Sequence, residues 1–526
     1  MNDSGAPDKP AHGPANISEL VKERVSANPG KLFLCSEADG RQFSYAEFYQ
    51  SVNRTAEMLS SAGVGKGDVV SLLMPNSAEY IIAYFACWQL GALAGPVNSL
   101  LKEHETAFVM NNSEARAILV HSEFKERIEN IRAALPYLKT VIMFDDEGRA
   151  TREYGDGRQK GGRDVRGPSI SKDDDAIIIY TSGTTGKPKG CLLTHGNVIA
   201  NARQISEWLH FTKDDRLLTI MPLFHMNAVS VTTMSALYAG ASTVVSPRFS
   251  AKRFWNIISD YQISSFGSVA TMLSMLLNTY PDGVPKGLHT SQLRFAMCGS
   301  APVPAEVMKK FEETFNCPVI EGYGLSESTC RSTFNPPDER RRPGSCGLPI
   351  GNEMKVFDDN DNEVAYGELG EIVLRGENIL KGYFKNSEAT ESAFRNGWFH
   401  TGDIGYRDAE GFFYIVDRKS DMIIRGGENI YPREIDEVLY QHPAVAAAAT
   451  IGVPDPLYGE EVTAFIVPKD GMKPAEEELL AFCGERLADY KCPKSIHFVR
   501  EIPKGPTGKL LKRELAKQFS TGSGVN

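Results

Sequence analysis

Hydrophobic residues along most of the chain follow two alternating patterns. A capping box of Ser44 and Glu47 opens a stretch with apolar residues on one helical face, and Gly63 ends it, which predicts an amphipathic helix. Short apolar runs alternate with such helical stretches: DVVSLLM, AILVH, TVIMF, AIIIYT, RLLTI, STVVS, FAMC and CPVIE. This alternation predicts βα units around largely parallel sheets.

One apolar run, YIIAYFACWQLGALAGPV at residues 80–97, approaches the length that crosses a bilayer. Gln89, Gly91 and Gly95 interrupt it, and basic flanking residues are missing. Its second half is typical of a helix that stops and leads into a strand. We therefore predict a core helix and no membrane span.

The pattern changes twice along the chain. Residues 148–175 are rich in glycine and charge and predict a flexible surface connection, whereas MKVF, GEIVLRG and FFYIV, after Asn352, predict an antiparallel section. We expect an α/β protein with a large N-terminal domain, residues 1–419, of doubly wound βα sheets plus a β-barrel-like section. A small α+β C-terminal lobe, residues 420–526, follows on a hinge.

Composition excludes several classes of protein. The 526 residues include 42% hydrophobic and 24% charged residues, as in ordinary globular proteins. Lysine and arginine number 57 against 67 acidic residues, a net charge of −10 that argues against a nucleic-acid partner. The nine cysteines form no CxxC pair, so neither a disulfide framework nor a zinc knuckle is indicated. With no targeting pattern at either end, we expect a cytoplasmic protein.

The most specific motif is TSGTTGKPKG at residues 181–190, directly after the apolar run AIIIY. Its glycines let backbone N–H groups form an anion nest, while hydroxyl and lysine side chains add donors and charge. Pro188 follows Lys187 where a Walker A loop has Ser or Thr, which disfavours a P-loop kinase or GTPase. The motif predicts a phosphate-binding loop.

This segment closely resembles the signature of the adenylate-forming superfamily, which includes acyl-CoA synthetases, adenylation domains of peptide synthetases and luciferases. The family's other segments follow in order from about Ser44 to Lys512. The resemblance implies ATP binding by Thr181, Ser182, Gly183, Thr184, Thr185, Gly186, Lys187, Gly299, Ser300, Ala301, Glu321, Gly322, Tyr323, Asp403, Arg418 and Lys509. It places Mg²⁺ on Glu327 and Thr184.

Within that set, the resemblance gives individual roles that suit the chemistry of the side chains. Tyr323 stacks on adenine, Ser326 contacts the α-phosphate, and Asp403 accepts the ribose hydroxyls, which only an acidic group does well. Arg418 contacts the nucleotide as well. The hard oxygens of Glu327 suit a metal ion that bridges phosphates.

The resemblance also implies moving parts. Lys509, on the Gly-Pro-Thr-Gly loop, is the catalytic lysine, and an ammonium on such a loop can enter and leave the site. Ser420 occupies the hinge position, where many relatives have Lys or Asp, and a plain turn is the alternative. The loop expected to meet the pantetheine of CoA consists of Gly426, Gly427, Glu428 and Asn429.

The acyl pocket is assigned by analogy to His225, Met226, Val229, Ser268, Val269, Met272, Gly322, Leu325 and Arg331, with Gly299 at its border. His225, in PLFHMN, gates acyl entry by resemblance, although a lone histidine is more often structural. Arg331 is a candidate partner for a second anionic or polar group on the acid, and solvent exposure is the commoner alternative. The apolar candidates favour a small, aromatic or medium-chain acid.

Together these features predict an ATP-dependent carboxylic acid:CoA ligase that forms AMP and uses ATP, Mg²⁺ and coenzyme A. A stand-alone adenylation enzyme that loads a carrier-protein thiol and a non-catalytic nucleotide-binding protein are the alternatives. A luciferase-like oxygenase would share the first step. Base rates predict a homodimer.

Overall fold

A computed structural model describes residues 13–145, 148, 150–154, 168–181, 188–300, 303–503 and 511–520. The first elements are α1 (Ile17–Ala27), β1 (Leu32–Ser36), β2 (Gln42–Ser44), α2 (Tyr45–Ser61), β3 (Val69–Leu73), α3 (Ala78–Gln89), β4 (Leu93–Pro96), α4 (Glu103–Asn112), β5 (Ala117–His121), α5 (Lys125–Ile131), β6 (Thr140–Phe144) and β7 (Ala150–Tyr154). The predicted capping box of Ser44 and Glu47 begins α2, as expected.

The middle of the large domain continues with β8 (Asp175–Thr181), β9 (Lys189–Thr194), α6 (His195–Trp208), β10 (Arg216–Thr219), a π-helix (Asn227–Met234), α7 (Ser235–Ala239), β11 (Ser242–Val245), α8 (Ala251–Asp260), β12 (Ser265–Ser268), α9 (Ala270–Thr279), β13 (Phe295–Cys298), α10 (Ala305–Phe315) and β14 (Val319–Glu321). Its last part contains β15 (Thr333–Phe334), β16 (Leu348–Pro349), β17 (Glu353–Phe357), β18 (Gly370–Arg375), β19 (Gly382–Tyr383), α11 (Ser387–Ala393), β20 (Phe394–Arg395), β21 (Trp398–Arg407) and β22 (Phe413–Arg418).

The C-terminal elements are β23 (Ile423–Arg425), β24 (Glu428–Ile430), α12 (Pro432–Tyr440), β25 (Val445–Asp455), β26 (Gly459–Pro468), α13 (Glu476–Gly484), β27 (Ser495–Phe498) and α14 (Lys512–Ser520). Their strands form a sheet of order β24-β23-β26-β25, with β27 parallel to β26. Helices α12 and α13 pack on one face of this sheet, and α14 packs on the other. The small α+β lobe is thus a separate unit with its own core.

Two mixed sheets form the large domain. The first has the order β19-β9-β8-β4-β3-β5-β6-β7, and the second has the order β14-β13-β12-β10-β11-β1-β2. In the second sheet all neighbours are parallel except β1 and β2. Strands β17, β18, β20, β21 and β22 form a third, antiparallel sheet. The predicted α/β class, the parallel strands and the antiparallel section are confirmed.

Helix α3 lies in the largest hydrophobic core and is buried along nearly its whole length. Its polar side-chain atoms bond to the backbone: Trp88 Nε1 donates to the carbonyl of Ala176 at 2.9 Å, and the Tyr84 hydroxyl donates to that of Leu223 at 2.8 Å. Strand β4 follows it. The apolar run at residues 80–97 is therefore a core helix and a strand, and no helix in the described parts of the chain is long and apolar enough to cross a membrane.

Candidate functional site

The strand ends of the second sheet bring the predicted loops together. Ser268 pairs with Cys298, and Cys298 pairs with Glu321, so β12, β13 and β14 end side by side. Loops that follow parallel strands at one edge are the usual ligand sites of such sheets. Gly322 lies in such a loop, where a Cβ atom would stand 2.5 Å from Cδ1 of Phe334, so only glycine fits.

A cavity of about 440 Å³ opens at this edge. All three sheets contribute to it, because residues of β8, β9, β19 and β21 line it together with the loops after β13 and β14. Its lining consists of Thr181, Lys189, His225, Met226, Asn227, Ser300, Gly324, Leu325, Ser326, Glu327, Cys330, Arg331, Glu371, Tyr383, Ala389, Ser392, Ala393, Arg395, Phe399, His400, Thr401, Gly402 and Arg418.

Glu327 lies in a 3₁₀ turn, Ser326–Ser328, within the loop between β14 and β15. The Tyr383 hydroxyl donates to its Oε1 at 3.2 Å, and the Thr181 hydroxyl lies 3.5 Å from the same oxygen. Because Thr181 is the last residue of β8, this carboxylate lies at the strand end where the glycine-rich motif begins.

The acidic oxygens of Glu327 fit one part of a Mg²⁺ site. Within the described ranges, no group of three or more His, Cys, Asp or Glu side chains could hold a metal ion. Magnesium ions in nucleotide enzymes typically use one or two carboxylates plus substrate phosphates. Glu327 and Glu371 both line the cavity, and the carboxylate of Glu327, next to the strand end where the glycine-rich motif begins, suits that arrangement.

Asp403 is fixed by two donors from different segments. The Tyr323 hydroxyl donates to its Oδ2 at 2.6 Å, and Nε of Arg418 lies 3.0 Å from its Oδ1. Asp403 and Arg418 are directly opposite on β21 and β22. The Asp403 carboxylate, with some help from nearby acidic groups, raises the pKa of the Arg418 guanidinium. The pair combines a buried carboxylate with a cation that reaches the cavity.

His225 lies just before the π-helix, Asn227–Met234, and π-helical turns occur often at functional sites. Burial lowers the pKa of His225 to about 4, so the imidazole is neutral at physiological pH. Its Nε2 and both side-chain polar atoms of Asn227 are buried without a hydrogen-bond partner among the described residues. These two side chains line the cavity with polar groups still available to a ligand.

Glu321 lies at the end of β14, enclosed by protein. Its Oε1 accepts a hydrogen bond from the Val303 backbone N–H at 3.2 Å. Burial raises the pKa of this carboxyl from 4.5 to about 7, against weaker opposing effects of that hydrogen bond and of Arg433 and Arg331. Glu321 therefore bonds to the segment between β13 and α10 and does not itself line the cavity.

Of the nine predicted acyl-pocket residues, four line the cavity: His225, Met226, Leu325 and Arg331. The other five are buried in the protein away from the cavity lining: Val229, Ser268, Val269, Met272 and Gly322. Solvent exposure of Arg331, the commoner alternative, is wrong, since the residue is only 2% exposed. The spacing of these residues along the sequence did not show which side chains face the cavity and which face the core.

Several predicted residues lie outside the described parts of the chain: Ser182, Gly183, Thr184, Thr185, Gly186, Lys187, Ala301 and Lys509. Thr181 and Lys189, which flank the first of these gaps, pair across β8 and β9. Ser420 is exposed between β22 and β23. Gly426 and Gly427, with φ of +59° and +90°, form the turn between β23 and β24, and Glu428 and Asn429 begin β24. Neither segment lines the cavity.

Lys189, which was expected to add charge to the glycine-rich motif, lines the cavity. Sequence reasoning missed other lining residues, chiefly Asn227, Cys330, Glu371, Tyr383, Arg395, Phe399 and His400. Tyr383 lies in β19, a two-residue strand whose pairing with β9 is set by tertiary structure. No local pattern identified it.

Comparison with known proteins places this site in a family. The model of the AMP-binding enzyme family matches residues 21–384, and that of the AMP-binding enzyme C-terminal domain matches residues 434–509. The sulfoacetate–CoA ligase of Cupriavidus necator is 34% identical over 510 residues, which are 95% of this chain and 97% of that protein.

Solved structures agree. ATP-bound MatB from Rhodopseudomonas palustris superposes with a TM-score of 0.87 at 29% identity, covering 96% of this chain and 99% of that one. The o-succinylbenzoate CoA synthetase MenE from Bacillus subtilis, in complex with the acyl-adenylate intermediate OSB-AMP, gives 0.82 at 33% identity, covering 95% and 98%. A further MenE structure contains ATP and a magnesium ion. The chain belongs to the AMP-binding enzyme family, in the acyl-CoA synthetase branch of the adenylate-forming superfamily.

Proposed function

We propose that the chain is an ATP-dependent carboxylic acid:CoA ligase that activates its acid as an acyl-adenylate, forms AMP, and transfers the acyl group to the CoA thiol. One observation carries the proposal: Glu327, Arg418 and the base of the glycine-rich turn meet around one cavity, with Asp403 directly behind it. In the proposal Asp403 accepts the ribose hydroxyls, the glycine-rich motif binds phosphate and Glu327 binds the metal ion.

ATP lies across the cavity in this proposal. Asp403 accepts the ribose hydroxyls, Arg418 contacts the nucleotide, and Tyr323 lies beside the adenine, which Gly299, Ser300, Ala301, Glu321 and Gly322 border. The residues of the glycine-rich turn, 181–187, hold the phosphates through backbone N–H groups and hydroxyls. The roles of Ser182 to Lys187 and of Ala301 rest on the sequence resemblance.

Glu327 and Thr184 would hold Mg²⁺, which would supply charge neutralisation on the phosphates when bound. Ser326, on the same turn as Glu327, contacts the α-phosphate. Lys509 supplies a positive charge from the C-terminal lobe. In the proposed mechanism these groups stabilise the negative charge that develops during adenylation.

The first step joins the acid to the nucleotide. An oxygen of the substrate carboxylate attacks the α-phosphorus, the bond from that phosphorus to the bridging oxygen breaks, and pyrophosphate leaves with both electrons of that bond. Holding both reactants in one cavity makes this step effectively unimolecular. The neutral imidazole of His225 lies on the acyl side, where it adds no charge that would compete for the carboxylate.

The second step replaces AMP by a thiol. The CoA thiol loses its proton to water, its thiolate attacks the acyl carbonyl carbon, and AMP leaves with the oxygen that came from the acid. The C-terminal lobe, residues 420–526, turns about Ser420 relative to residues 1–419, withdraws Lys509, and brings residues 426–429 to the pantetheine. The open space around Gly427, where a Cβ would meet no atom within 4 Å, supports such an approach.

The test is release of AMP and pyrophosphate from MgATP with a panel of carboxylic acids, with and without CoA. We expect both products to require an acid, and CoA to accelerate AMP formation. Acid-dependent pyrophosphate release that CoA leaves unchanged would point to a carrier-protein acceptor instead. Absence of turnover with every acid would contradict the proposal. The homodimer and the cytoplasmic location stay predictions.

A further inference from the structure

Arg331 is a buried cation held by its backbone in a fixed position. Its carbonyl accepts hydrogen bonds from the side-chain amides of Asn201 at 2.7 Å and Asn378 at 3.2 Å, and its N–H donates to Oδ1 of Asn201 at 3.2 Å. Both asparagines are themselves buried. The local main chain therefore cannot turn the arginine outward to water.

Two nitrogens of the guanidinium, Nε and Nη2, are buried and make no hydrogen bond with the described residues. The Phe334 ring lies 5.4 Å from Cζ, and a ring face attracts the charge without accepting the in-plane N–H groups. Glu321 is close enough for Arg331 to lower its pKa, but its Oε2 accepts no hydrogen bond from the guanidinium. A buried cation with unsatisfied N–H groups is costly to the fold, so such a group is retained where a ligand completes it.

The same guanidinium lines the cavity, in a place that its neighbours define. A Cβ atom at Gly299 would lie 2.5 Å from Nη2, so the guanidinium rests against the backbone just beyond β13. Met226, Leu325 and Cys330 add apolar lining, while Nε2 of His225 and the amide of Asn227 add further unpartnered polar atoms. Because His225 is neutral, Arg331 brings the formal charge to this group of side chains.

We propose that Arg331 binds a second anionic group of the acid, so that the substrate is a short carboxylic acid with an additional carboxylate, sulfonate or phosphonate. The proposal rests on the ligase function above and adds the class of its substrate. A planar guanidinium matches two anionic oxygens with two parallel N–H groups, which selects an anion more sharply than a lysine does. The Asn227 amide N–H, together with Nε2 of His225 in its Nε2–H tautomer, completes the contacts.

Two other anions of the reaction could occupy Arg331, namely the reacting carboxylate and a phosphate of ATP. Every acid substrate shares both of these. Their loss would therefore slow all acids equally, whereas loss of a second-anion contact slows only the acids that carry one. Selectivity between matched acids separates the possibilities.

The experiment measures kcat/KM for AMP formation by the full-length enzyme with CoA, using acids matched in length. The pairs are succinate with butanoate, adipate with hexanoate, and 3-sulfopropanoate with butanoate. We expect the wild type to prefer the doubly anionic member of at least one pair. Arg331→Met should lower kcat/KM for that acid by about 30-fold or more. It should change kcat/KM for the matched monocarboxylic acid, which ends in a methyl group, by less than about 3-fold.

Two further variants keep the test decisive. Arg331→Lys retains the positive charge but lacks the two parallel N–H groups of the guanidinium. It should keep part of the preference for the doubly anionic acid. Arg395 also lines the cavity but is paired with Asp361 at 3.1 Å, and Arg395→Met should leave the ratio between matched acids unchanged. Thermal unfolding and the KM for ATP show whether each variant is intact. If Arg331→Met does not fold, the ratio of kcat/KM between matched acids in the wild type and in Arg331→Lys tests the proposal.

The proposal is overturned if the wild type prefers the monocarboxylic member of every pair. It is also overturned if Arg331→Met slows both members of a pair equally, or slows neither. All of these results still show turnover and leave the ligase function standing. Absence of AMP with every acid, in the wild type, would instead refute the ligase function itself.

Discussion

The Tyr323 hydroxyl donates a 2.6 Å hydrogen bond to Oδ2 of Asp403. Oδ1 of the same carboxylate faces Nε of Arg418 at 3.0 Å. Two donors, one from the loop after β14 and one from β22, therefore fix the direction in which Asp403 presents its remaining lone pairs. The orientation of the proposed ribose acceptor is set before nucleotide binds.

Asp403→Asn tests this role directly. The amide keeps the shape of the side chain but loses one acceptor oxygen and the negative charge opposite Arg418. We expect the KM for ATP to rise about 10- to 100-fold, in line with loss of charge-assisted hydrogen bonds. Tyr323→Phe, which removes one donor and keeps the ring, should raise it by no more than about 10-fold. An unchanged KM in Asp403→Asn would remove this residue from nucleotide binding.

Lys509→Ala should separate the two half-reactions. We expect pyrophosphate formation from ATP and acid to slow by about 10²- to 10³-fold, because the variant lacks a positive charge that stabilises the negative charge developing on the phosphate. Thioester formation from supplied acyl-adenylate and CoA should stay within about 3-fold, because the lysine is withdrawn in that step. Lys517→Ala, an exposed site paired with Glu514, is the control and should leave both rates unchanged. Equal slowing of both half-reactions by Lys509→Ala would contradict the proposed movement.

A buried ion pair ties the last helix to the C-terminal lobe. Nζ of Lys512 on α14 lies 3.0 Å from Oδ2 of Asp436 on α12. Lys512→Met leaves the buried carboxylate without its cation and should destabilise the lobe by roughly 3–5 kcal/mol. Replacing both residues, Asp436→Leu with Lys512→Met, should restore most of that stability. Denaturant unfolding of the three proteins measures this, and a double variant no more stable than the single one would contradict it.

Glu321 should make the stability of the protein pH-dependent. Its pKa is raised from 4.5 to about 7, so between these pH values the folded chain binds more protons than the unfolded chain. The free energy of unfolding contributed by this group is highest below pH 4.5 and falls as the pH rises through about 7.

Glu321→Gln removes this titration and should be more stable than the wild type at pH 8 by roughly 2–3 kcal/mol, with no such gain at pH 4.5. Urea unfolding at the two pH values measures the difference. Glu306→Gln, on the exposed side of α10, is the matched control and should show no gain at either pH. An equal gain for Glu321→Gln at both pH values would rule out titration as the cause.

The hydrophobic pattern predicted the helices and strands well, because these elements depend on residues that are close in sequence. The capping box at Ser44 begins α2, and runs such as TVIMF form strands at the expected places, since helix and strand periods depend on neighbouring residues. The ordered motifs also located the edge of the second sheet at which the cavity opens, because residues that directly follow a strand must lie at its end.

The residues that line the cavity could not be predicted in the same way, because tertiary packing decides which side chains face it. Met272 and Arg331 were placed in the same pocket by analogy, yet Met272 packs in the core and Arg331 lines the cavity. The burial of Arg331 follows from its contacts with Gly299 and Phe334, which belong to a different loop and a different strand. Tyr383 reaches Glu327 only because β19 pairs with β9.

The most direct test of the central claim follows an oxygen atom. The preferred acid is labelled with ¹⁸O in both carboxylate oxygens and converted with ATP and CoA. Attack of the carboxylate on the α-phosphorus predicts one ¹⁸O in the phosphate of AMP for each thioester formed, detected by mass spectrometry. AMP without label, or label in inorganic phosphate with formation of ADP, would contradict an acyl-adenylate intermediate and with it the proposed function.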